Sequence, residues 1–459
     1  MFDFRDWILK QVNSEYRIIK ENDDVICLET DYGIARIVFT RVNEGEIVEF
    51  TITSNKDQSV KFYLHFELND EKHARGLYQE LADSLIALKD NNTLSVLLSC
   101  SSGLTTSMFA EQLNSTANLL GLDYHFDAIA YSNIYDNVED YDMVLIAPQI
   151  GYLLKRLKDS LNDHIVEQIP TSAFASYDSM SVIKFIQELL EQEKEIEDSC
   201  TCCCHKNNNR ILAISIVNSK KQTTIDYRLY YQGNVLDSKK IIKCKMDIND
   251  LYDIIDTVLL KYEYLDMIGI ATPGIVKDEG LLVNPIDGDD IYEIKKEFEK
   301  KYNIGVCVIN SANAAAMGFS LENSEYKQVV FLSQPFGYAV GGIGMVIDGK
   351  VINGKNGIAG EVKYFIRRMQ LSDEPHKLVR SEQGALELIS KELLPILVTI
   401  GPEIVAISSS MVPNMEELAQ KLSSFIPEEF LPKFVYVKDS SAYMLDGITQ
   451  LCLDKLKKD

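Results

Sequence analysis

Cys100 opens the run Cys100-Ser101-Ser102-Gly103-Leu104-Thr105-Thr106-Ser107, directly after the apolar stretch Leu94-Ser95-Val96-Leu97-Leu98 and ahead of an amphipathic segment. In order, these read as a strand, a loop and a helix. A glycine among small hydroxyl residues lets successive N–H groups turn toward one point, and the following helix adds its positive end, so a phosphate would be held there. The same amides and dipole would lower the pKa of Cys100 and make its thiolate the nucleophile for a phosphoryl group. A second group of reactive residues is Cys200-Thr201-Cys202-Cys203-Cys204-His205. Adjacent thiolates point in different directions, and no second ligand pair follows downstream. This stretch therefore reads as an oxidation-prone linker rather than a structural zinc site.

These residues must be positioned by a chain of 459 residues, too long for one ordinary core. An apolar content of 46% with 25% charged residues is that of a globular protein, and no run is long and apolar enough to cross a bilayer. The start, Met1-Phe2-Asp3-Phe4-Arg5-Asp6, lacks the order of a signal peptide, so a cytoplasmic location is expected. A formal charge of −23 argues against nucleic-acid partners and membrane insertion. The fold class expected is α/β and multidomain. Residues 1–90 read as an α+β domain, with a helix over 4–16, four antiparallel strands (24–30, 33–41, 46–54, 60–66) and a helix over 73–88. Residues 93–190 alternate strand and helix and predict a small parallel sheet with Cys100 at the carboxyl end of its first strand. An acidic, Cys-rich linker follows over 191–209. Residues 210–459 alternate again, as two lobes over about 210–325 and 326–459.

The Cys100 loop resembles that of the IIB component, lactose/cellobiose class, of the phosphoenolpyruvate-dependent sugar phosphotransferase system (PTS), whose signature is a strand ending in C-S-x-G-x-[ST]-[ST]-S. Gly121-Leu122, the strand Asp142-Met143-Val144-Leu145-Ile146, Pro148-Gln149-Ile150-Gly151-Tyr152 and Tyr177-Asp178 match in order. The resemblance implies that Cys100 accepts phosphate from a IIA-type phosphocarrier and passes it to a sugar, with residues 101–107 binding the phosphate and a IIC-type membrane permease as a further partner. Gly151 stands where the family usually has Arg.

Residues 210–455 resemble the ROK family of sugar kinases and sugar-responsive repressors. The matching motifs are 268–276, Asn310-Ser311-Ala312-Asn313, Gly341-Gly342-Ile343-Gly344, Asn356-Gly357-Ile358-Ala359-Gly360-Glu361 and 442–447. The resemblance implies two actin-like lobes, a small sugar ligand held by Asn310, Asn313 and Glu361, and a homodimer formed through this domain. The kinase positions differ. Ser311 stands where the family has its aspartate base, and a serine hydroxyl cannot take a proton from a sugar hydroxyl at neutral pH. Ser215-Ile216-Val217-Asn218-Ser219 replaces the phosphate loop, Ser408-Ser409-Ser410 the adenosine glycines, and Lys363-Tyr364 the Gly-His of the zinc-binding motif. This half reads as a pseudokinase without metal or cofactor. No helix-turn-helix pattern precedes it. The leading reading is a phosphorelay or regulatory protein that carries phosphate on Cys100 and senses a sugar. An active sugar phosphotransferase and a non-catalytic sugar-binding scaffold stay open beside it.

Overall fold

The computed structural model describes residues 3–43, 45–56, 58–91, 93–161, 164–192, 209–218, 222–277, 280–283, 291–335, 338–409, 411–412 and 414–457. The Cys200–His205 cluster lies outside them. The chain is α/β and multidomain, and it gathers into two compact units. One is built from 1–158, 163–200 and 241–263, the other from 159–162, 201–240 and 264–459.

In the first unit, five successive strands form an antiparallel sheet: Arg17–Lys20, Val25–Glu29, Gly33–Val42, Gly45–Ser54 and Val60–Glu67. Alternation decides the faces. Ala35, Ile37 and Phe39 point inward while Ile34 and Arg36 do not. The helix Glu71–Ala87 starts where the Asp70 carboxylate accepts the His73 N–H at 2.6 Å, and it lays Leu77, Leu81 and Leu85 against that sheet. A distant segment completes the unit. The helix Ile248–Tyr262, opened by a capping box of Asp247 and Asp250, packs on the last strand. His73 Nε2 and Asp253 Oδ1 are 2.8 Å apart, and this hydrogen bond raises the His73 pKa above its ordinary value. Lys243 and Asp250, both 4% exposed, pair at 2.7 Å, with Glu80 2.8 Å from the same ammonium.

The same unit holds a four-stranded parallel sheet in the order Tyr124–Ala130, Leu94–Cys100, Met143–Ile146, Ile165–Gln168. Leu94–Cys100 is central and almost wholly buried, which is why it reads as a continuous apolar run rather than an alternating one. The helix Leu104–Leu120 leaves its end and packs Phe109, Leu113 and Ala117 with Val182, Ile186 and Leu190 of the helix Ser179–Gln192. After the strand Met143–Ile146 comes a 3₁₀ segment, Pro148–Leu153, leading into a helix of seven residues, Leu154–Ser160.

The second unit repeats one topology. Its first sheet runs Asn234–Lys243, Thr223–Tyr231, Ile211–Asn218, Met267–Thr272, Gly305–Asn310, and its second runs Lys350–Val351, Gly342–Ile347, Gln328–Gln334, Ile404–Ser409, Lys433–Tyr436. In each, the first strand in sequence pairs antiparallel with the second and parallel with the fourth, and the fifth extends that parallel edge. The second strand of the second sheet begins only at Gly342.

One helix serves each sheet of this unit. Ser311–Glu322 packs on the strands of the second, and Ser441–Leu456 on those of the first. The two helices meet backbone to backbone. A Cβ on Gly447 would lie 1.9 Å from the Ala314 carbonyl oxygen, and one on Gly318 would lie 2.0 Å from that of Tyr443. Only hydrogen fits at either position. We expect Gly447→Val to force the helices apart and to cost at least about 1–3 kcal/mol, the range for overpacking. Urea unfolding should show the transition of this unit moved to lower denaturant, and an unmoved transition would contradict the packing.

Candidate functional sites

Gly103 makes the Cys100 loop. Its φ of +82° is left-handed, and a Cβ there would lie 3.1 Å from the Ala130 nitrogen, so no other residue can turn the chain this way without strain. The turn sends the Gly103 N–H back to Cys100 Sγ at 3.1 Å. The Thr106 hydroxyl lies 3.3 Å from the same sulfur and 3.0 Å from the Gly103 carbonyl oxygen. Having one proton, it can serve only one of them at a time, and a thiolate outbids a neutral carbonyl for it. Ser107 caps the same carbonyl through its hydroxyl at 2.8 Å. The helix has no side-chain cap, and the Thr106 amide of its first turn joins the Ser102 and Gly103 amides at the sulfur.

Two effects compete at Cys100, which is 3% exposed. Burial pushes its pKa up. The Thr106 hydroxyl and the amides of Ser102, Thr106 and Gly103 stabilise the thiolate, and together they win, so the pKa lies below the ordinary thiol value. Ser101, Ser102 and Ser107 are exposed, Thr105 is half-buried and Thr106 is buried. Leu104 contributes the first residue of the helix. The motif residues Tyr177 and Asp178 have structural work. Tyr177 ends one helix in the left-handed region, its ring packs on Phe109, and Asp178 accepts the Ser181 N–H at 3.1 Å. Tyr152 is 81% exposed, and Lys158 is ion-paired with Glu167. A Cβ at Gly151 would fall 2.0 Å from Gln168 Oε1, so a larger residue there would require that carboxamide to swing aside.

In the second unit Asn310 ends a strand and caps the helix Ser311–Glu322. Its carboxamide oxygen accepts from the Ala312 and Asn313 amides at 2.9 and 3.3 Å, and its Nδ2 donates to the Gly274 carbonyl at 2.8 Å. Most of its bonding capacity is thereby committed to the fold. Asn313, 3% exposed, donates to Asn353 Oδ1 at 3.1 Å, while its own oxygen is buried without a partner. Ser311 is the half-buried first residue of that helix. The loop that carries Glu361 is joined to Asn313 through Asn353. Asn353 accepts the Ala359 amide, and a Cβ at Gly360 would lie 1.9 Å from the Ile343 oxygen, beside Gly344 which abuts Ala312. Glu361 Oε2 is 2.9 Å from Lys363 Nζ, a pair that residue-by-residue comparison of motifs did not reveal.

A buried carboxyl stands elsewhere in the same unit. Glu392, on the helix Glu382–Ile400, is fully buried with no well-formed hydrogen bond to either oxygen. Burial pushes its pKa up to about 8, which the Gly341 amide offsets only weakly. Gly341 also borders Gln334, whose backbone is in register with Ser409. Ser408 is half-buried, Ser409 is buried, and Ser215 is wholly buried with an unpartnered hydroxyl. Among the described residues no cluster of His, Cys, Asp and Glu could hold a metal, and no helix is long and apolar enough to cross a membrane.

Both sites coincide with family matches. Residues 95–188 match the PTS system, lactose/cellobiose specific IIB subunit, and residues 223–366 match the ROK family. The chain thus joins a IIB domain to a ROK domain. It is similar to the xylose repressor of Bacillus subtilis (strain 168), with 27% identity over 27% of this chain and 32% of the relative. It is also similar to the glucokinase of Halalkalibacterium halodurans, with 32% identity over 21% of this chain and 30% of the relative. The matched stretch therefore spans about a third of these curated relatives. Among solved structures, the lactose-specific IIB component domain of the phosphoenolpyruvate:carbohydrate phosphotransferase system from Streptococcus pneumoniae is 27% identical, covering 22% of this chain and 96% of that one at a TM-score of 0.20.

Two outcomes follow from these geometries. Thr106→Val removes a thiolate donor at constant shape, so the Cys100 pKa should rise and alkylation by iodoacetamide at neutral pH should slow on the order of tenfold. An unchanged pH profile of alkylation would refute the hydroxyl's role. At Glu392 the folded chain holds a proton that the unfolded chain, near its ordinary 4.5, releases. Stability is therefore fully present below pH 4.5 and falls as pH rises toward 8, by at most about 1.4 kcal/mol per pH unit. Glu392→Gln should melt higher than the parent at pH 8 and alike at pH 4.5, as scanning calorimetry would show.

Proposed function

We propose that the chain is a PTS-linked regulatory protein of the cytoplasm. In this reading its IIB domain carries phosphate on Cys100, and its ROK domain senses a sugar without ATP chemistry. The observation that supports it most is the convergence of the Gly103 amide and the Thr106 hydroxyl on Cys100 Sγ. In the step proposed, the Cys100 thiolate attacks the phosphorus of a phosphohistidine on a IIA-type carrier. The S–P bond forms, the N–P bond breaks, and the imidazole leaves with the electron pair and takes up a proton. The donors that stabilise the thiolate would then hold the phosphoryl oxygens. Ser101–Ser107 would be the phosphate cradle and a IIC-type permease a further partner, in line with the IIB match.

The reading of the ROK half as a pseudokinase has its support in the chemistry present. Ser311 offers no carboxylate to act as base. Ser408-Ser409-Ser410 stands where the resemblance places the adenosine glycines, and the added side chains would crowd a nucleotide. Asn310, Asn313 and Glu361 are the proposed sugar contacts.

The test is incubation of the full chain with radiolabelled phosphoenolpyruvate and the general and IIA carriers of the same cell, with the labelled residue mapped by mass spectrometry. Label should appear on Cys100 and vanish in Cys100→Ser with little change in stability. Label that persists in that variant would sink the assignment, and a parent protein that takes up none would favour the scaffold. ATP turnover stimulated by a hexose and lost in Asn310→Ala would overturn the pseudokinase reading.

A further inference from the structure

The two candidate sites leave a pair of cysteines in the second unit unused. Cys307 lies on the strand Gly305–Asn310, at the parallel edge of the first sheet, and Cys452 lies on the helix Ser441–Leu456, which packs on that sheet. Both are free thiols. Cys452 is fully buried, whereas Cys307 is half-buried.

The backbone brings the two sulfurs together. Gly269 is the register partner of Cys307 on the adjacent parallel strand, so the two positions face the same side of the sheet. The last helix covers that side, and a Cβ on Gly269 would lie 2.8 Å from Cys452 Sγ and 2.6 Å from Ile448 Cγ1. Cys452 Sγ therefore fills the space that a side chain at 269 would take, next to the Cys307 side chain, and the two thiols hydrogen-bond there. A cation completes the group. Lys455, one helical turn after Cys452, donates from Nζ to the carbonyl oxygen of Val306, the residue before Cys307, at 3.0 Å.

This surrounding makes the two thiols unlike. The hydrogen bond from Cys452 and the charge of Lys455 hold the Cys307 pKa below its ordinary value against the effect of burial. Burial and the same hydrogen bond hold the Cys452 pKa well above its own. An accessible thiol that ionises thus sits against a buried one that keeps its proton, the arrangement of an attacking and a resolving cysteine.

We propose that Cys307 and Cys452 form a reversible disulfide when the chain meets a hydroperoxide. The Cys307 thiolate attacks a peroxide oxygen, so that the S–O bond forms and the O–O bond breaks. The departing oxygen takes up a proton and leaves as water or alcohol. Cys452 then gives up its proton and attacks the sulfenic sulfur, the S–S bond forms, and the S–O bond breaks with loss of water. Two thiols are oxidised and one peroxide is reduced. The bond ties the last helix to the strand that ends in Asn310, the cap of the helix Ser311–Glu322. In a reducing compartment such a bond is transient, which suits a signal rather than a staple. It is independent of the phosphorelay and of the sugar reading, and its failure would leave both standing.

The test treats the reduced full chain with a molar excess of hydrogen peroxide, unfolds it, alkylates the remaining thiols and maps the digest by mass spectrometry without reductant. A linked peptide pair carrying Cys307 and Cys452 should appear, disappear with dithiothreitol, and be absent from Cys307→Ser and Cys452→Ala. The melting midpoint of the second unit should rise on oxidation, because the bond closes a long loop of chain, and should return on reduction. Cys307→Ser, at a half-buried position where the fold tolerates it, should melt at the same temperature with and without peroxide. Three outcomes would each overturn the proposal: Cys307 carried to sulfinic acid with Cys452 still a thiol, Cys307 linked to a cysteine other than Cys452, or both residues still reduced after peroxide.

Discussion

The first turn of a helix has N–H groups that no residue of the helix can accept, and both candidate sites are governed by what takes them up. At Leu104–Leu120 no side chain caps the helix, and the left-handed Gly103 returns the amides to the Cys100 sulfur. At Ser311–Glu322 the Asn310 carboxamide consumes the Ala312 and Asn313 amides. The first arrangement leaves donors for an anion and the second does not. In the first unit the loop's donors thus converge on a sulfur, while in the second the helix's first amides are spent on its own cap.

Burial sets the terms at Cys100. A thiol 3% exposed loses hydration that a thiolate needs, and burial alone would make it a poor nucleophile. The loop replaces that hydration with fixed donors that do not reorganise when charge develops. Those donors depend on Gly103, and Gly103 depends on the neighbouring strand, because its Cα lies against the Ile129–Ala130 backbone and leaves no space for a side chain. The register of the two parallel strands, Cys100 opposite Ala130, thus decides where the sulfur and its donors meet.

What could be read from residues alone was the part with strong local signals. The buried strand Leu94–Cys100, its loop and the helix after it combine an unbroken apolar run with glycine and hydroxyl punctuation, and they stand where the sequence puts them. Other strands went unread for the opposite reason, Arg17–Lys20 and Asn234–Lys243 among them. Arg17–Lys20 is four residues long and mostly exposed, and Asn234–Lys243 carries Asp237, Lys239 and Lys240 on a largely exposed run that looks like a loop. The first helix ends at Leu9, short of the Tyr16 expected, because Val12, 98% exposed, does not join its apolar face. Glu392 was legible in principle. It falls four residues after Leu388 and three after Ile389, on the face the helix buries, and an acid at that spacing signals a buried carboxyl. The pair Glu361 and Lys363 has no such signature, since residues two apart face each other only when the backbone bends between them.

That bend connects the two kinds of evidence about the ROK domain. Gly360, at φ +85°, lies against the Ile343 carbonyl, and Gly344 lies against Ala312, so the loop before Glu361 is pressed onto the strand that also supports the Asn310 helix. Glycines fix these contacts by what they lack, and the fold can therefore be kept while the side chains between them change. Ser311 and Lys363 occupy just such positions. Replacing an acid by a hydroxyl and adding an ammonium beside Glu361 alters the charge offered to a ligand without disturbing the glycine contacts that hold the loop and helix together. The contacts that hold the loop and helix together are thus separable from the side chains carried between them.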